Sequence, residues 1–253
     1  MKAQAVVSLG FKEVYSNMSK RSKYRTKIRR YIWIIAPILC LFIISSQGYS
    51  IQPAKEAPNK PVSYLQKLQT LLSPKFCKMY AISSYHAIEK MLKQQSVGMS
   101  QAVIQKVLLT LKCANNFHTR HSNILTVIDY SLPANQKRLW VFDLKKSKLL
   151  FNTYVTHGIT SGGVHTNQFS NRNNSKASSL GIYKTEQSYY GRHGLAVRLQ
   201  GLEPGFNDNA SRRAIVMHSA WYVNEAFIQK YGRPGRSWGC PAISKKMKSK
   251  VIN

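Results

Sequence analysis

The spacing of apolar residues divides the chain after residue 62 into a helical part and a β part. The spacing i, i+3, i+4, i+7 is typical of one face of an α-helix, and it is met by Ile104, Val107, Leu108 and Leu111. We therefore predict a small helical region of two or three helices within residues 63–120.

From about residue 121 the apolar pattern becomes that of short β-strands. Segments 125–130, 138–144 and 149–155 are rich in branched and aromatic residues, and the polar segment 145–148 predicts a β-hairpin between the last two. Further strands are predicted at 181–190, 193–200 and 212–218, after a long Ser-, Gly- and Asn-rich loop at 161–180. About six short strands in succession favour a sandwich or barrel, so residues 121–253 are predicted to form a mostly β domain.

The first 62 residues have the pattern of an export signal and a linker. Residues 1–30 are a basic segment, and residues 31–48 contain 14 uncharged, mostly apolar residues followed by small ones. Fourteen helical residues extend about 21 Å, less than a hydrocarbon core of about 30 Å. We therefore expect a secretory signal more than a full span, with an uncleaved inner-membrane anchor and a buried core helix as alternatives. The Pro-rich residues 49–62 are predicted to be a linker.

The charge of the chain indicates an anionic partner. Lys and Arg number 38 against 9 Asp and Glu, a net charge of +29, and such a field attracts polyanions. So few acids argue against a calcium site, a two-metal site or a glycosidase carboxylate pair, and we expect no metal and no cofactor. Because no DNA- or RNA-binding motif is visible and an exported chain cannot reach DNA, we expect an anionic cell envelope as the partner, and no nucleic acid.

Export also changes how the cysteines are interpreted, because disulfides form in an oxidising compartment. If Cys40 is removed with the signal, Cys77, Cys113 and Cys240 remain, an odd number in an oxidising compartment. The economical pairing joins Cys77 to Cys113. This leaves Cys240 as a free thiol, either an inert buried residue or a reactive one.

The residues around Cys240 favour the reactive alternative. Pro241 follows it, and Pro prefers the first position of a helix, so we predict a helix over 241–251 whose positive end lowers the thiol pKa. The backbone N–H groups of Gly239 and Cys240 are predicted to form an oxyanion hole. His218, at the end of an apolar strand, is the expected base.

These residues carry a resemblance to a known family. Ser237-Trp-Gly-Cys240, with His218 upstream, resembles the signature of the L,D-transpeptidase (YkuD-like) family, in its murein L,D-transpeptidase branch. Segments 151–158, 206–218 and 235–242 are similar to that branch as well, so the resemblance covers roughly residues 100–253. The broad family has His where this chain has Trp238, a difference that the murein branch tolerates.

The resemblance implies an exported enzyme that acts on peptidoglycan stem peptides through a thioester. It implies Cys240 as the nucleophile, His218 as the base and Ser219 as a residue that helps to hold the imidazole. We expect substrate contacts from Ser237, Trp238, Arg236, His157 and Tyr222, and a monomer in the periplasm or cell envelope. The alternative is a non-catalytic or hydrolytic, L,D-carboxypeptidase-like wall-binding relative. It is favoured by the 13 residues after Cys240, where the family usually continues to a closing strand.

Overall fold

Two helices lie between the N-terminal strand and the rest of the sheet along the chain. The computed structural model describes residues 5–10, 82–112 and 123–252, and all of them belong to one compact unit. Helix α1 spans Ile82–Gln95 and α2 spans Gln101–Lys112. The turn between them contains Gly98 at φ +84°. The N–H of Ser100 donates to the Asp129 carboxylate (2.9 Å), which attaches the start of α2 to the sheet.

Eight strands form one mixed sheet in the order β4-β3-β2-β1-β5-β6-β7-β8. The pairings β1–β5 and β7–β8 are parallel and the other five are antiparallel. The bounds are β1 Ala5–Gly10, β2 Ile124–Asp129, β3 Leu139–Asp143, β4 Lys148–Thr153, β5 Gly181–Gly191, β6 Gly194–Gly201, β7 Val216–Ala220 and β8 Ala242–Ser244.

The sheet buries apolar side chains on both faces. On one face of β2 and β3, Val127 and Trp140 pack with the apolar stripe of α2. On the other face, Ile128 and Val141 join a cluster with Tyr183 and residues of β6 and β7. Residues from both halves of the sheet therefore share one core on this face, which also takes in Ile252 of the C-terminal segment, and α1 and α2 cover the opposite face.

Most of the predicted elements are confirmed. The three strands and the hairpin before residue 155, the strands at 181–191 and 194–201, and the strand that carries His218 are all present. A further short helix, α3, spans Glu225–Tyr231 after the strand that carries His218. Its N-cap Asn224 accepts a hydrogen bond from the N–H of Phe227, and Gly232 ends it at φ +72°.

The helix predicted over 241–251 is wrong. Residues 242–244 form β8, and a 3₁₀ turn (Lys245–Met247) and the short helix α4 (Lys248–Ile252) follow. Ala242 and Ile243 are fully buried against the sheet. Their burial in a parallel pairing with β7 outweighs the local preference of Cys-Pro for a helix start.

The N-terminal strand β1 was not predicted. It lies inside the segment interpreted as a basic arm and pairs with both β2 and β5. The proposed signal, the linker, the Cys77–Cys113 pairing and Cys40 lie outside the described residues. No helix among the described residues is long and apolar enough to cross a membrane.

Candidate functional site

Strands β7 and β8 bring His218 and Cys240 to neighbouring positions. His218 is the Cα partner of Ala242 in this parallel pair, and its N–H donates to the carbonyl of Pro241 (3.4 Å). Cys240 directly precedes Pro241 at the entrance to β8. The two residues that sequence reasoning selected therefore lie on adjacent strands, although 21 residues separate them in the chain.

The imidazole of His218 is neutral, and its Nδ1 is engaged in a hydrogen bond. Its side chain is 4 % exposed, and Nδ1 lies 3.1 Å from the carbonyl oxygen of Ser219. A carbonyl only accepts, so Nδ1 carries the proton and Nε2 keeps its lone pair. Burial lowers the pKa of His218, the Ser219 carbonyl opposes this, and the charge of His193 adds to the lowering. Ser219 thus acts through its backbone oxygen.

The ring of His193 stacks on that of His218, with centroids 4.7 Å apart and 28° between the planes. His193 lies in the turn between β5 and β6 and is exposed. It was not among the site residues selected from the sequence. Only the register of β6 against β7, which pairs Ala196 with His218, reveals that it covers the candidate base.

Cys240 is a free, half-buried thiol. Its Sγ donates to the carbonyl of Ala214 (3.8 Å), and no hydrogen bond between Sγ and His218 is present among the described residues. Burial raises the thiol pKa, whereas the backbone of Val216 and the charge of Arg213 lower it. The expectation of a thiol pKa lowered by a helix N-terminus is therefore wrong, because no helix begins at Cys240.

The loop before Cys240 is closed by the hydroxyl of Ser237. This Oγ donates to the carbonyl of Cys240 (2.6 Å) and accepts from the N–H of Gly239 (3.1 Å). Since the Gly239 N–H is committed inside the loop, the prediction that it points into an oxyanion hole does not hold in this arrangement. The N–H of Cys240 remains the candidate donor. Ser237, predicted to contact substrate, is 6 % exposed, and its hydroxyl is used within the loop.

Gly239 is required at its position by both conformation and space. Its φ is +115°, and a Cβ there would lie 2.7 Å from the carbonyl oxygen of Ala177 and 3.1 Å from Nη2 of Arg213. The carbonyl of Gly239 also accepts from the hydroxyl of Ser178 (3.2 Å). The 161–180 loop therefore packs directly on the backbone beside the thiol.

His157, predicted to contact substrate, is a buried and hydrogen-bonded residue. Its side chain is 1 % exposed, and Nδ1 accepts from the guanidinium of Arg138 (2.8 Å). Burial, then the charge of Arg138, lower its pKa to about 4, so the ring is neutral at pH 7. Its carbonyl accepts from the N–H of Ser237 (3.1 Å). His157 thus supports the loop before Cys240 through its backbone carbonyl.

The three remaining predicted contacts lie around this loop. Arg236 donates to the carbonyls of Ile159 and Gly162 (3.1 and 2.9 Å). Trp238 is 69 % exposed, and the ammonium of Lys176 lies 4.8 Å from its ring centroid. Tyr222 is half-buried; its carbonyl accepts from the N–H of Gly235 (3.0 Å), and the nearby Cys240 helps to raise its pKa, after burial.

Arg213 is a site residue that sequence reasoning did not select. Its guanidinium donates to the carbonyls of Ser170 (2.7 Å) and Ala177, and to the hydroxyl of Ser179 (3.3 Å). It therefore joins the 161–180 loop to the neighbourhood of the thiol. Arg213 lies in segment 206–218, one of the segments that carry the resemblance. That position is the sequence signal by which it could have been selected.

Within residues 85–111 and 123–252, no group of three His, Cys, Asp or Glu side chains has the geometry to hold a metal ion. A family model described as the L,D-transpeptidase catalytic domain matches residues 95–253. This segment contains β2–β8 and every site residue discussed above. No curated protein and no solved structure matches the chain.

Proposed function

Because the chain belongs to the L,D-transpeptidase catalytic-domain family, whose members act on peptidoglycan stem peptides, we propose that it is an exported, cysteine-dependent L,D-transpeptidase. The observation that carries the proposal is the pairing of β7 with β8. It sets an imidazole with a free Nε2 on the strand beside a half-buried thiol. The basic composition and the apolar segment at 31–48 support export to an anionic envelope.

The proposed reaction is acyl transfer through a thioester. The Cys240 thiol gives its proton to Nε2 of His218 while the sulfur attacks the carbonyl of the L,D-amide in a donor stem. The C–N bond then breaks, and the imidazolium returns the proton to the departing amine of the terminal D-amino acid. An amine of a second stem attacks the thioester, loses its proton to His218 and releases Cys240 as the thiol.

The electrostatics favour a neutral thiol and imidazole before reaction. Burial raises the pKa of Cys240 and lowers that of His218, so both groups are uncharged near pH 7. Proton transfer then accompanies attack, in contrast to a preformed thiolate–imidazolium pair. The proposed step requires the thiol to exchange its hydrogen bond to Ala214 for one to His218, through a rotation about χ1 of Cys240.

The surrounding loops supply candidate substrate contacts. We assign stabilisation of the tetrahedral oxyanion to the N–H of Cys240. Trp238 is exposed directly before the Gly239–Cys240 backbone and offers an aromatic surface. Arg236 acts by fixing the residues near Gly162, and Tyr222 packs beside Gly235, where a Cβ would meet its ring.

The test is cross-linking by the full chain and by Cys240→Ala and Cys240→Ser variants. Purified sacculi are incubated with each protein and digested, and the muropeptides are identified by mass spectrometry. We expect L,D-linked products from the parent chain and none from either variant, with all three showing the same circular dichroism. Unchanged cross-linking by Cys240→Ala contradicts the proposal. Tripeptide stems without cross-links identify the hydrolytic alternative instead.

A further inference from the structure

Residues of the 161–180 loop line an open surface cavity that the proposed mechanism does not use. Its volume is about 360 Å³, within the size range of small-ligand pockets. None of the residues that line it is acidic; they are Thr160, Gln168, Phe169, Ser170, Arg172, Asn173, Asn174, Ser175 and Ala177. A basic, amide-rich cavity of this kind suits an anionic ligand with peptide groups.

Several polar side chains at the cavity are available to a ligand. The guanidinium of Arg172 and the side-chain amides of Gln168 and Asn173 make no hydrogen bond or ion pair with other residues of the described chain. Arg172 is exposed, so its charge is not already neutralised. A guanidinium binds a carboxylate through two parallel N–H···O bonds, and amides bind peptide groups.

The wall of the cavity is fixed by hydrogen bonds that do not involve these available groups. The hydroxyl of Thr160 donates to the carbonyl of Ser175 (2.6 Å), and the N–H of Ala177 donates to the hydroxyl of Ser175 (3.5 Å). Asn174 and Lys176, on either side of Ser175, have φ of 58° and 52°. The cavity is therefore shaped before any ligand arrives, which lowers the entropic cost of binding.

The cavity borders the nucleophile. Ala177 lines it, and the carbonyl of Ala177 faces the backbone of Gly239, where a Cβ would come within 2.7 Å. Arg213 donates to the carbonyls of Ser170 and Ala177, two wall residues, and its charge acts on the thiol of Cys240. The wall of the cavity and the backbone of the residue before Cys240 are therefore neighbours through Ala177.

We propose that this cavity binds the terminal carboxylate of the donor stem, with Arg172 as its ion-pair partner. The inference rests on the proposed function. In a peptide the terminal carboxylate lies one residue beyond the scissile carbonyl, which matches a cavity whose wall contacts the residue before Cys240. The site explains how a stem ending in a free D-amino acid is distinguished from a longer or capped one.

The test measures binding to the full chain carrying Cys240→Ala, so that no reaction takes place. The probes are a synthetic tetrapeptide stem with a free terminal carboxylate and the same peptide with a terminal carboxamide, and Kd is measured by calorimetry. The variant is Arg172→Gln. The control is Arg192→Gln, which removes an equal charge from an exposed position in the β5–β6 turn.

We expect Arg172→Gln to weaken binding of the carboxylate peptide about 5-fold, as for an accessible ion pair, and to leave the carboxamide unchanged. Arg192→Gln should change neither Kd by more than about 2-fold. Equal effects of Arg172→Gln on both peptides, or no effect on either, overturn the inference. The proposed function is judged separately: it fails if the Cys240→Ala chain still cross-links, whatever the binding data show.

Discussion

Replacing Ser237 with Ala tests whether the loop before Cys240 is held by one buried hydroxyl. The Ser237 Oγ makes two hydrogen bonds within the loop, at 2.6 Å to the carbonyl of Cys240 and at 3.1 Å from the N–H of Gly239. The side chain is 6 % exposed, so water does not readily replace it. Ala fits the same space and removes both bonds.

The expected loss of stability follows from the two buried polar groups that lose their hydrogen-bond partner when the Ser237 hydroxyl is removed. The Gly239 N–H loses its acceptor and the Cys240 carbonyl loses a donor, and each buried group left without a partner costs about 1–3 kcal/mol. The two share one loop, so we expect the free energy of unfolding to fall by about 2–4 kcal/mol. Displacement of the sulfur by about 1 Å would lower turnover about 100-fold.

The assay is urea unfolding followed by circular dichroism, together with the rate of stem cross-linking. Ser188→Ala is the matched control, because Ser188 is exposed on β5 and its loss should cost less than about 0.5 kcal/mol. If Ser237→Ala is as stable and as active as Ser188→Ala, the loop is held by something else and this reasoning fails.

Two further predictions concern pH. Burial raises the pKa of Cys240, and the charge of Arg213 lowers it. The rate of iodoacetamide alkylation should therefore rise with pH around a midpoint above about 8.5, the pKa of a free cysteine. Arg213→Met should raise that midpoint further, Arg213→Lys should leave it closer to the parent, and a parent midpoint below about pH 7 contradicts this. Burial raises the pKa of Glu203 to about 7, so between about pH 4.5 and 7 the folded state binds more protons than the unfolded state and stability falls as pH rises. Glu203→Gln should remove that loss, gaining about 3 kcal/mol relative to the parent across this range, and a difference independent of pH in urea unfolding would refute it.

The elements that the sequence predicts well are those set by local pattern. The hairpin of β3 and β4 follows from alternation around a polar turn, and α3 follows from the Asn224 cap and Gly232. His218 and Cys240 were selected because their residue types and neighbours suit nucleophilic chemistry, and the sheet brings their strands together.

The features that local pattern missed depend on contacts between distant residues. Cys-Pro favours a helix start, yet the burial of Ile243 against β7 makes the segment a strand. His193 reaches His218 only through the register of β6 and β7. His157 was predicted to be accessible at a strand end, but Arg138 and Thr166 enclose it. The prediction missed this because a histidine in a sequence gives no sign of its burial.

The claim that Cys240 is the acylated nucleophile is tested most directly by trapping the intermediate. The parent chain is mixed with a tetrapeptide stem, quenched in acid and digested, and the peptides are analysed by mass spectrometry. We expect the peptide containing Cys240 to carry the tripeptide acyl group as a thioester, and His218→Ala to lose that adduct at pH 7. Cross-linked product formed without an adduct on Cys240, or with the acyl group on another residue, would contradict the account.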